Sequence, residues 1–87
     1  MLANNRELYD YLILLRDKLR ERGAAQLSSD IDRASKHVAG MSTEFIGESR
    51  HALRSVHQRC ESVLQPGERD ELEDVLHQLE RAVERRK

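Results

Sequence analysis

Apolar residues in this chain recur every three or four positions in four separate stretches, and the breaks between stretches fall on glycine or proline. Such spacing winds a stripe along one face of an α-helix and does not fit the alternation of a strand. Leu8, Tyr11, Leu12, Leu15 and Leu19 form the first stripe, and Leu27, Ile31, Ala34 and Val38 a narrower second. The third runs through Phe45, Ile46, Ser49, Ala52, Leu53, Val56, Cys60, Val63 and Leu64. Leu72, Val75, Leu76, Leu79, Ala82 and Val83 make the fourth.

Terminal signals bracket these stripes. Asn4 with Glu7 three residues on has the form of a capping box, and Gly23 and Gly40 are natural helix stops. Met41, Ser42 and Ile46 have the arrangement of a hydrophobic staple, while Pro66 suits the first position of a last helix. Helices are therefore expected over about 4–22, 24–39, 42–64 and 66–85. The connections are short, so successive helices should fold back as hairpins. With 87 residues there is material for one core only. The expectation is an all-α chain, residues 1–87 forming a single helical domain: a compact antiparallel bundle of about four helices joined by short Gly/Pro turns.

Aromatic residues are only 3% of the chain, so that core must be aliphatic. Fifteen Lys and Arg stand against sixteen Asp and Glu, a balance that draws the molecule to neither nucleic acid nor an anionic membrane as a whole. One cysteine, Cys60, allows no internal disulfide and suits a reducing compartment. No apolar run approaches the roughly 18 residues that span a bilayer, and the N-terminus lacks a leader pattern. A cytoplasmic location without membrane partners is expected.

Four histidines raise the question of a metal. Glu48 with His51, and Asp74 with His77, have the acid-x-x-His spacing of di-iron bundles, whose ligands project into the core. On the helical wheel these side chains fall on the opposite side from the stripes, with His77 turned away from the third helix. His57 and Cys60 share a helix side, but two ligands do not complete a zinc site, and a thiol inside an apolar stripe acts as a small hydrophobe. His37 reads as a helix-edge residue, and Ser28, Ser29, Asp30 and Asp32 as solvating groups near a helix start. No nucleophile elbow, phosphate-binding loop or dinucleotide fingerprint is present. Neither enzymatic activity nor a cofactor is expected.

The segment Ala39-Gly40-Met41-Ser42-Thr43-Glu44-Phe45-Ile46 resembles the turn and recognition-helix start of helix-turn-helix proteins, departing from that pattern at Lys36 and Ser49. The resemblance implies a DNA-binding regulator with Thr43, Glu44, Gly47 and Glu48 toward the bases, supported by Arg50, His51 and Arg54. Two carboxylates would then face phosphate, which is unfavourable. DNA binding is the alternative to a stronger expectation drawn from the first helix.

Residues 8–15 of that helix are apolar nearly all the way round, more than one stripe can bury. With Leu8, Leu12, Leu15 and Leu19 on the core, Tyr9 and Ile13 lie roughly 100–140° away beside Arg16 and Arg20, and Leu14 lies on the other flank. A Tyr–Ile–Arg surface has the composition of interface anchors. Tyr9, Ile13, Arg16 and Arg20 are the expected partner-binding residues. The function expected is a small non-enzymatic protein–protein interaction module, an adaptor, inhibitor or regulatory subunit, that self-associates as a homo-oligomer through this helix.

Overall fold

The computed structural model of the chain describes residues 5–39, 42–59 and 63–85. Four α-helices follow one another: α1 (Asn5–Glu21), α2 (Ala25–Ser35), α3 (Ser42–Arg59) and α4 (Pro66–Arg85). A 3₁₀ turn, Lys36–Ala39, extends α2. Among the described residues there is no strand, and the architecture is the all-α bundle expected from the stripes. The radius of gyration, 12.0 Å, matches the value of about 12 Å for a packed globule of this length.

Side-chain pairings join the helices. Ser28 and Asp32 of α2 reach Arg16 of α1, His57 of α3 reaches Glu73 of α4, and Glu68 of α4 meets Lys18 and Arg22. Along the α1–α4 groove the lining runs from Lys18 with Glu68 to Glu7 and Asp10 with Gln78, so these helices are antiparallel, and the short turns fold each successive helix back on the last. Backbones approach closely between α1 and α2, α2 and α3, and α3 and α4, whereas α4 meets α1 mainly through long side chains.

The stripes meet in one core. Leu12, Leu19, Ile31, Phe45, Leu53, Val56 and Leu72 are all but sealed from solvent, with Leu8, Leu15, Leu27, Ala34, Ile46, Ala52, Leu64, Val75, Leu76 and Leu79 around them. Burial at this level contributes about 1.5–3 kcal/mol per large side chain. Among the described residues Ser28, Ser35 and Ser49 are buried as well. Ser28 donates to the Arg16 carbonyl at 2.9 Å and Ser35 to the Asp32 carbonyl at 2.6 Å, while the Ser49 hydroxyl finds no partner among the described residues.

α1 ends as its sequence dictates. Gly23 takes φ +83°, a conformation that side chains resist, so the Gly23 and Ala24 amides turn back to the Arg20 and Leu19 carbonyls at 3.2 and 2.9 Å. The second helix departs from expectation in its last turn, which tightens to 3₁₀ from Lys36. Residues three apart then stack, and half-buried Val38 follows buried Ser35 on the core side.

The third helix is described over Ser42–Arg59, and it does not run through residues 63 and 64 as its stripe suggests. Val63 and Leu64 lie in a turn and bend, yet Leu64 is buried and Val63 packs against the core. An apolar side chain can enter a core from a turn as well as from a helix, which is why periodicity overran the boundary. Outside the helix, the Val63 carbonyl is free to accept from Arg22 Nη1 at 3.0 Å. The expected cap at Asn4, the Gly40 stop, Met41 of the staple, Cys60 and the basic Arg86–Lys87 end lie outside the described residues.

Candidate interaction surface on the first helix

The overfull centre of α1 is divided between two flanks. Toward α2, Arg16 Nη1 donates to Asp32 Oδ1 at 2.9 Å, and its Nε donates to Asp17 Oδ1 at 3.1 Å. Lys36 Nζ stands 3.4 Å from the other Asp32 oxygen. Arg16 above all, then Lys36, holds the Asp32 carboxyl below the usual carboxylate range. Beneath this pair Ser28 bonds the α1 backbone. Ser28 is therefore a packing contact and not the solvated helix-start group its position in the sequence suggests.

The four residues expected to bind a partner sit on or beside this flank with unequal exposure. Tyr9 is half-buried and packs against the core, Ile13 is half-buried, Arg16 is committed to its two carboxylates, and Arg20 is exposed.

The α4 flank is different. Leu14 is 63% exposed, the one large apolar side chain left so among the described residues. Beside it a groove between α1 and α4 is lined by Tyr11, Leu15 and Val75, with Glu7, Asp10, Glu71 and Asp74 at its edges. Burial pushes the Tyr11 phenol far above its ordinary range, and the Glu71 and Glu68 carboxylates add to the shift by opposing a second negative charge. The groove is thus apolar at its floor and acidic at its rim.

One end of the groove is closed by a clasp. Pro66 starts α4, and Glu68, in the third helical position, accepts the Gln65 amide at 3.0 Å, the returning half of a capping box. The same carboxylate takes Arg22, with Nη2 to Oε2 at 3.0 Å, and lies 3.3 Å from Lys18 Nζ. Arg22, the Gln65 amide and Lys18 hold Glu68 down to about 2. Neither Arg22 nor Glu68 stands out from the apolar stripes and helix stops of the sequence. The readable signal was an acid three residues after Gln65, with proline between them at the first helical position.

The histidines are spread over other grooves. His57 Nε2 lies 3.0 Å from Glu73 Oε1, and this bond, more than Arg69, lowers the Glu73 carboxyl. His77 is exposed as expected, but it lines the α3–α4 groove with His57 and Glu80 instead of turning away from α3. Exposed Glu48 and His51 line a groove between α2 and α3 with Asp30. Among the described residues no three His, Cys, Asp or Glu side chains are placed to hold a metal ion. His37 Nδ1 lies 3.5 Å from Glu44.

On the helix that resembles a recognition helix, Glu44, Gly47, Glu48, His51 and Arg54 are exposed. A Cβ built on Gly47 would meet nothing within 4 Å, so this glycine serves no close backbone approach. No helix among the described residues is long and apolar enough to cross a membrane. Comparison with known protein families, curated proteins and solved structures finds no match.

Proposed function

We propose that this chain is a non-enzymatic helical interaction module that engages a protein partner through α1. The observation that carries the reading is Leu14: a leucine 63% exposed, beside an apolar floor of Tyr11, Leu15 and Val75. Leaving it wet forgoes roughly 2 kcal/mol of burial, which a partner seated on the groove would recover. Self-association is the narrower form of the same proposal and belongs to the opposite flank, where Tyr9 and Ile13 are half-buried and Arg20 is exposed.

Affinity capture of the partner from the native host, with wild-type chain and with Leu14→Ser in parallel, tests the reading. The variant is expected to lose the partner with its circular dichroism unchanged. Undiminished capture by a folded Leu14→Ser chain would remove the α4 flank of α1 from the function. Light scattering on Tyr9→Glu/Ile13→Glu examines self-association separately, and a folded monomer from a wild-type oligomer is the outcome that supports it.

A further inference from the structure

We infer that the α1–α4 groove receives a cationic amphipathic helix of another protein, its apolar stripe on Leu14 and its Lys or Arg residues against the acidic rim. The inference rests on the interaction reading above and names the chemistry of the partner.

Charge carries it. The other grooves between helices mix their charges: Asp30 and Glu48 share theirs with Arg33 and His51, and Glu73 and Glu80 share theirs with Arg54, His57 and His77. Along the groove Asp10 and Glu71 have no ion-pair partner among the described residues, and Asp74 accepts only from the neutral Gln78 amide at 2.9 Å. Among the described residues the one cation lining the groove, Lys18, is already beside Glu68. The chain as a whole carries a formal charge of only −1, so this surplus is a local field.

Such a rim selects among occupants. Nucleic acid and anionic membranes are repelled by it. A second copy placed symmetrically would set this rim against itself, and a rim of one sign finds no opposite charge in its own image. A cationic helix satisfies both floor and rim. From Glu68 to Gln78 the α4 wall rises ten helical steps, about 15 Å or nearly three turns, which matches anchors spaced i, i+3/i+4 and i+7.

Fluorescence anisotropy of the full chain with a labelled helical peptide of about fifteen residues tests the proposal, with leucines at i, i+4, i+7 and i+11 and lysines flanking them. Saturable one-to-one binding is expected, weakened about tenfold or more by Leu14→Ser and by Glu71→Lys/Asp74→Lys, and weakened by salt. A control peptide with glutamates replacing the lysines, and one with serines replacing the leucines, should both bind at least about tenfold more weakly. Equal binding of the serine peptide would reduce the site to bare charge and overturn the inference, as would indifference of a folded charge-reversal variant. Failure of the lysine peptide while native-partner capture still depends on Leu14 would defeat the cationic-helix inference and leave the interaction module standing. Capture indifferent to Leu14 defeats the module reading itself.

Discussion

The two flanks of α1 start from similar material and end differently. Toward α2, an arginine faces a carboxylate, a buried serine bonds the backbone, and the apolar residues beside them are half-covered. Toward α4, a leucine is left exposed beside carboxylates that outnumber the cations, and contact is concentrated at the Glu68 clasp. A helix flank is therefore closed by complementarity as much as by apolar content. Where Arg16 meets Asp32 the flank is covered; where carboxylates accumulate, Leu14 is left exposed.

The sharpest way to break this contrast is to truncate a leucine on either side of it. Leu12→Ala, at a fully buried position that both flanks share, is expected to cost about 2–5 kcal/mol in urea unfolding. Leu14→Ala, two residues on, should stay within about 0.5 kcal/mol. Similar losses at both sites would mean that the α4 flank is closed in solution. Gly23→Ala should cost about 1–2 kcal/mol, since the left-handed backbone that turns α1 toward α2 would then carry a Cβ. A neutral effect on the unfolding midpoint would show that the turn relaxes.

Ser28→Ala is a finer probe of the closed flank, removing one bond to the Arg16 carbonyl at an expected cost of about 1 kcal/mol. The smallest effect belongs to the clasp and is read through pH. Glu68 has its carboxyl at about 2 in the folded chain against an ordinary 4.5, so the stability it contributes is present above about pH 4.5 and is lost as pH falls toward 2. Wild type should lose unfolding midpoint relative to Glu68→Gln across that window. Parallel curves would show that the clasp contributes nothing.

The legible part of this molecule is what periodicity controls. Leu8, Leu12, Leu15 and Leu19, and likewise Leu72, Val75, Leu76 and Leu79, repeat on one face and are buried together, so their core role needs no knowledge of the neighbours. The end of α3 was not legible, because Val63 and Leu64 continue the apolar spacing from a turn. Nor was the division of α1. The sequence shows that Tyr9, Ile13 and Leu14 exceed one stripe, but which of them is covered depends on where α2 and α4 dock. That in turn depends on pairs such as Arg16–Asp32 and Arg22–Glu68, whose members are 16 and 46 positions apart.

The clasp also bears on the order in which the chain comes together. α1 with α2, and α3 with α4, are hairpins built from near neighbours in sequence, which places this fold among rapid folders with local contacts. Arg22 and Glu68 belong to different hairpins and meet only when the two have docked. Their contact is therefore expected to be absent from the folding transition state, so Arg22→Ala should leave the refolding rate nearly unchanged and accelerate unfolding. What this carboxylate contributes therefore goes to the lifetime of the closed bundle more than to the time taken to reach it.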